Sequence, residues 1–134
     1  VLFRSNYTYL NTSGRFAGTT DLKNGQVAGF IPRAFNAGLI YTYRKFGASY
    51  DVNYTGRYPV GFSLTAPGNG NIYRYELVTQ NIGFSYKYTP GTTFFANLNN
   101  FTEEGARQYT FIESRHRAQW LVPRAIKFGV TGQF

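Results

Sequence analysis

Two groupings of side chains could in principle do chemistry. Glu103 and Glu104 are adjacent, and Glu113, Ser114 and His116 fall close together a little further on. A hydrolytic pair of carboxylates must flank its substrate at a set separation of roughly 5–10 Å. Neighbouring loop residues rarely supply that. A nucleophile and its base must share an oriented hydrogen bond, which closeness in sequence does not provide. Both groups therefore read as solvated loop. The chain has no Cys and a single His. Disulfides, thiolate metal sites and a Cys nucleophile are excluded together, and no His-based metal cluster can form. A His-dependent triad is not expected either. No catalytic residue, metal or cofactor is expected, and the chain is not read as an enzyme.

The remaining candidates are cations. There are 14 Lys+Arg against 6 Asp+Glu among 134 residues, a formal net charge of +8. Such a balance permits nucleic acid or acidic lipid as a partner. The basic residues are scattered from Arg4 to Lys127, however, and form no run longer than Arg44-Lys45. What they could contact depends on the elements that carry them.

Those elements are strands. From Ala48 to Tyr58 the even positions are Ala, Tyr, Val, Tyr, Gly and Tyr, and the odd ones are Ser, Asp, Asn, Thr and Arg. Strict two-residue alternation puts two different surroundings on the two faces of one strand. The pattern recurs with Phe3, Tyr7 and Tyr9; with Phe35, Ala37, Leu39, Tyr41 and Tyr43; and with Val78, Ile82, Phe84, Tyr86 and Tyr88. It recurs again with Phe94, Ala96 and Leu98, and with Ile126, Phe128, Val130 and Phe134. Ile40, Gln80 and Phe95 are the exceptions to it. The expected fold is all-β, an antiparallel meander of about six long strands. Arg44 to Gly47 and Tyr88-Thr89-Pro90-Gly91 are tight turns. Residues 12–32, 59–72 and 102–124 are expected to be long loops. The sequons Asn6-Tyr7-Thr8 and Asn53-Tyr54-Thr55 fall inside strands, where their Asn and Thr belong to the polar face.

A soluble barrel alternates as well, with its apolar face inside. Three features favour the reverse. On the apolar face, aliphatics (Ala37, Leu39, Val52, Ile82, Ala96, Leu98, Val130) are expected mid-strand. Aromatics (Phe35, Tyr43, Tyr50, Tyr58, Tyr86, Tyr88, Phe94, Phe134) are expected toward the ends, as in the girdles of outer-membrane barrels. The polar face is rich in Asn, Ser, Thr and Gly. Strands of about 10–11 residues match the ~9–11 that cross a bilayer at a tilt. Aromatics at 19% and charge at 15% then follow from lipid on one face. Since the aromatics lie opposite the polar residues, no shared surface for nucleic acid is expected. Closed barrels of this kind begin at ~8 strands, so residues 1–134 are expected to be the C-terminal portion of a larger barrel. Val1 stands where a translated chain begins with Met, which fits a processed product or excised fragment.

The stretch from Phe94 to Phe101 (Phe-Phe-Ala-Asn-Leu-Asn-Asn-Phe) is similar to the penultimate strand of TonB-dependent outer-membrane receptors. Asn97, Leu98 and Asn100 match its Asn-Leu-Phe-Asn-like motif, and Asn99 stands where Phe is common. The stretch from Arg124 to Phe134 resembles that family's last strand. Ile31-Pro32-Arg33-Ala34-Phe35-Asn36 resembles its Pro-Arg-His strand entry, with Ala34 in place of His. The resemblance implies a 22-stranded barrel around a plug, of which this chain would be about a quarter. It implies uptake of a scarce nutrient (a ferric siderophore, cobalamin or carbohydrate) driven through the TonB complex. Neither the plug nor the TonB box lies in these residues. Implied partners are outer-membrane lipid and lipopolysaccharide, the barrel assembly machinery, and the rest of the barrel and plug. Phe128, Val130 and Phe134 would form the signal read by the assembly machinery. The same pattern also admits a diffusion porin or, outside membranes, a soluble ligand-binding barrel.

With the last strand ending on the periplasmic side, the two tight turns are periplasmic and the three long loops extracellular. Arg15, Lys23, Arg107, Arg115 and Arg117 then lie in outer loops, with Arg57 at the lumen rim, where they would attract an anionic substrate. Arg33 and Arg124 fall on the lipid-side parity near the outer edge, where they would meet outer-leaflet phosphates.

Overall fold

The structure is a computed structural model that describes residues 1–13, 27–63 and 69–132. It is all-β, and every strand pairing is antiparallel. In chain order the strands are β1 (Leu2–Asn11), β2 (Arg33–Tyr43), β3 (Phe46–Thr55), β4 (Tyr58–Gly61) and β5 (Ile72–Arg74). There follow β6 (Leu77–Thr89), β7 (Thr92–Asn99), β8 (Ala106–Thr110), β9 (His116–Trp120) and β10 (Ala125–Gly132). They form a 6-stranded sheet, β1-β2-β3-β6-β7-β10, and a 4-stranded sheet, β4-β5-β8-β9.

The large sheet is the expected six-strand meander, and its registers sort the faces. Leu39, Tyr50, Ile82, Leu98 and Ile126 align in one row across the strands. Tyr43, Phe46, Tyr86, Phe94 and Val130 align at the turn end, and Tyr9, Phe35, Tyr54 and Val78 at the opposite end. Cross-strand neighbours of this kind are the unit of sheet stability, and Phe35 and Tyr54 stack with centroids 5.0 Å apart. Val130, expected mid-strand, lies in the turn-end row, and Tyr50 departs from expectation as well. It lies in the middle of the aliphatic band and not at an end, and its hydroxyl donates to Oε1 of Gln80 at 2.6 Å. The two polar exceptions on this face thus satisfy each other.

The other face carries Asn6, Gly38, Asp51 and Asn81 in one row, and Ser49, Gly83 and Asn97 in the next. Side chains close over glycine there. A Cβ on Gly83 would meet Ser49 Oγ at 2.5 Å and Asn97 Oδ1 at 2.8 Å, and one on Gly129 would meet Phe95 Cζ at 2.8 Å. Phe95, the aromatic exception on this face, therefore lies across the glycine of its partner strand, a contact known to support otherwise weak strand positions.

The small sheet was not expected, since residues 59–72 and 102–124 read as loops. Instead they hold β4, β5, β8 and β9. Thr55 faces Leu77 and Tyr58 faces Arg74, so the β3–β6 pairing resumes in unchanged register as β4–β5. In the same way β8 prolongs β7 and β9 leads into β10, and the small sheet extends four neighbouring strands of the large one. Between β7 and β8 the register against both neighbours steps by two residues, within 100–105. Asn100 (φ 48°) and Glu103 (φ 56°) turn the chain out there. Of the loop expected at 12–32, residues 14–26 lie outside the described residues. Its base is closed by the Thr12 N–H to Pro32 carbonyl (2.9 Å) and by Thr12 Oγ1 to the Ile31 carbonyl (2.9 Å).

There is hardly a core. Among the described residues Tyr109 is the sole buried hydrophobic, whereas Phe128 and Leu121 are each 83% exposed. The accessible surface is 9700 Å², against about 7,100 Å² for a compact monomer of this mass. Among the described residues, the outer edges of β1 and β10 have no partner strand.

Candidate functional site

The polar face of the large sheet continues onto the small one, and there it becomes aromatic and cationic. Pro59, Tyr73, Tyr109 and His116 lie in one row across the strands. Tyr73 and Tyr109 stack at 5.3 Å, Tyr75 tilts against Tyr109 at 4.6 Å, and His116 stacks on Tyr75 at 5.5 Å. The Arg107 guanidinium lies 5.2 Å from the centre of the Tyr75 ring, within cation–π range. Burial pushes the Tyr109 phenol above its usual range.

Arg57, between β3 and β4, ties the cluster together. It bonds the carboxylates of Glu76 and Glu113, and its Nη2 also reaches Glu76 Oε1 at 3.0 Å. The hydroxyl of Tyr75 donates to the Glu113 carbonyl. The hydrogen bond from Arg57 holds the Glu76 carboxyl down at about 2, far below the usual carboxylate value. Arg107 pairs with Glu104 at 3.3 Å and Arg124 with Glu103 at 2.8 Å. The adjacent carboxylates thus serve two different arginines. Ser114 and His116 share no hydrogen bond among the described residues, His116 being stacked and Glu113 engaged by Arg57.

Asn100 anchors the step between β7 and β8. Its side chain is buried; Nδ2 donates to the carbonyls of Glu104 (3.1 Å) and Val122 (2.7 Å), and Oδ1 accepts from the Glu104 N–H (3.2 Å). Its own N–H donates to Asn81 Oδ1 at 3.0 Å. On the opposite face Arg74 lies between Tyr58 and Trp120, 6.0 and 5.5 Å from the ring centres, with its Nη1 3.4 Å from the Tyr58 hydroxyl.

The cations singled out in the sequence fall into three groups. Arg57, Arg107 and Arg124 are in ion pairs. Arg115, in the turn between β8 and β9, and Arg117, on β9, are exposed and have no ion pair among the described residues. Arg15 and Lys23 lie outside the described residues. Arg33 opens β2, and its carbonyl accepts the Gly56 N–H at 2.8 Å. Arg33 and Arg124 are not brought together: β3, β6 and β7 separate their strands, roughly 19 Å across the sheet. Phe128 and Val130 are exposed on the apolar face of β10, opposite Ala96 and Phe94. Phe134 lies outside the described residues.

Tyr73, Tyr75 and Tyr109 were missed by reading the sequence, and His116, read there as solvated loop, stands on β9 against Tyr75. The one signal they left is the alternation of Tyr73 and Tyr75, which continues the polar-face parity of β6 backwards. The surface they make can stack on a flat group, donate from phenols and pair with an anion through Arg115 or Arg117. Comparison with protein-family models, curated proteins and solved structures gave no match for this chain.

Proposed function

We propose that the chain is part of the wall and outer loops of an outer-membrane uptake receptor of the TonB-dependent type, the C-terminal portion of a larger barrel. The observation that carries the reading is the apolar face of the large sheet, which is half-buried to exposed and has its aliphatic side chains mostly between aromatic rows. A band containing Leu39, Ile82, Leu98 and Ile126 lies between aromatic rows at both ends. From Tyr54 to Phe46 the apolar stretch runs roughly 27 Å along the strand. At a tilt of about 40° that covers roughly 21 Å of depth, close to the ~25 Å apolar band of such barrels. The bare edges of β1 and β10 support continuation into further strands, because unpaired backbone in lipid is costly. The polar face, where side chains crowd over glycine, is the lumen side. In this orientation the turns at 44–45 and 90–91 are periplasmic, and the small sheet rises above the outer leaflet as the ligand-facing rim.

The chain has no Cys, so once any thiol elsewhere in the parent barrel is replaced, a single introduced thiol reports its own location. In intact cells, Arg115→Cys in the parent barrel is expected to react with a membrane-impermeant maleimide. Lys87→Cys should react only after the outer membrane is permeabilised. Equal labelling of both in intact cells sinks the orientation, and recovery of the parent protein in the soluble fraction sinks the membrane reading. Uptake that persists when the TonB complex is removed would turn the assignment to a diffusion porin.

A further inference from the structure

The turn end of the apolar face is built unevenly. In the row Tyr41, Ala48, Phe84, Ala96 and Phe128, large and small residues alternate across five strands. The alanines leave an open groove of about 530 Å³ between the rings of Tyr41, Phe46, Phe84 and Phe94, with Ala48 and Ala96 in its lining. That volume is within the range of small-ligand clefts, roughly 300–1,000 Å³. A lipid face filled with uniformly large side chains would have no such recess.

Two cations lie in the turn that closes the same end of the sheet, next in sequence to the groove residue Phe46. Lys45 directly precedes Phe46, and its Nζ is 3.1 Å from the carbonyl of Tyr88, whose ring packs edge-on against Phe94. The Arg44 guanidinium lies 5.3 Å from the centre of the Tyr43 ring, which belongs to the same apolar face. Among the described residues no carboxylate offsets them. The described acids are Asp51, mid-strand on the polar face, and Glu76, Glu103, Glu104 and Glu113, all toward the small sheet. An apolar trough at the end of the sheet whose turn carries two cations, neither in an ion pair among the described residues, fits one molecule with an acyl chain and an anionic head. We infer that the face between β2 and β7 binds an anionic phospholipid of the periplasmic leaflet. Its chain would lie over Ala48 and Ala96 and its phosphate against Arg44 and Lys45. Long basic side chains at a membrane boundary reach the headgroup layer in this way while their stems cover apolar surface.

The inference rests on the membrane reading, and the test separates the two. The parent barrel is reconstituted into vesicles of phosphatidylcholine with an equal part of phosphatidylglycerol and re-extracted in mild detergent. Retained lipid is then counted by native mass spectrometry. Phosphatidylglycerol is expected to be enriched, with about a fivefold loss of enrichment for each of Arg44→Gln and Lys45→Gln. Lys87→Gln removes a charge at the same end on the polar face, and is expected to leave retention unchanged. Filling the trough with Ala48→Leu and Ala96→Leu should release the lipid while insertion persists. Equal retention of both lipids by the wild-type barrel, or unchanged enrichment in Arg44→Gln/Lys45→Gln, overturns the inference alone. A barrel that enters neither pure phosphatidylcholine nor mixed vesicles overturns it together with the membrane reading.

Discussion

Arg57 shows how far one side chain can decide the character of a surface. It was expected to stand free at the rim, yet it holds Glu76 and Glu113 from two different connections. Both partners are more than a third exposed, and exposed pairs contribute about 0–1 kcal/mol, so Arg57→Ala should cost little stability at neutral pH. The pH dependence is the clearer signature. Glu76 has a lowered folded-state value, about 2 against 4.5 ordinarily. Its contribution is therefore complete above pH 4.5 and is lost as pH falls toward 2. Urea midpoints measured from pH 6 to pH 2 should fall more steeply for the wild type than for Glu76→Gln. Parallel curves would show that the pair adds nothing in solution.

At the scale of elements, the step between β7 and β8 depends on Asn100. Its amide makes three hydrogen bonds while its backbone sits in the left-handed region, which Asn tolerates better than most residues. Asn100→Ala leaves buried donors and acceptors without partners, and is expected to cost about 2–4 kcal/mol in urea unfolding. Asn100→Asp should do no better, since a carboxylate cannot donate to the Glu104 and Val122 carbonyls. The long strands were legible in the sequence because each has one apolar and one polar face. β4, β5, β8 and β9 were not, for a physical reason. β5 and β8 are half-buried or buried on both faces, as where Gln108 and Tyr109 are consecutive and both buried, and β9 is exposed on both. Period two then vanishes. The ion pairs were equally invisible, because Arg57 and Glu113 are 56 residues apart and meet through strand order alone.

For the whole molecule, a sheet with roughly 21 Å of apolar height and almost no buried core among the described residues cannot be judged by its internal contacts. Its stability belongs to whatever covers the apolar face. If lipid covers it, the cost of an inserted charge depends on depth. Leu39→Arg, in the middle row, is expected to cost about 2–4 kcal/mol, and Val78→Arg, in the end row, about 0–1 kcal/mol. Unfolding of the parent barrel in vesicles measures both. Equal costs would mean that protein and not a bilayer lies against this face. The same distribution places the Arg44-Lys45 turn at one end and Glu76, Glu103, Glu104 and Glu113 at the other, so the two rims meet different surroundings.

The two residues gained at 100–105 carry a consequence for how the rim can change over time. Because the number is even, Arg107 and Tyr109 keep the face that Asn97 and Phe95 define below them. A single-residue insertion or deletion in Phe101–Glu103 would send Tyr109 outward and bring Gln108 inward, since side chains alternate with period two. Length variation in this segment is therefore quantised: changes in pairs preserve the aromatic surface, and odd ones turn it inside out.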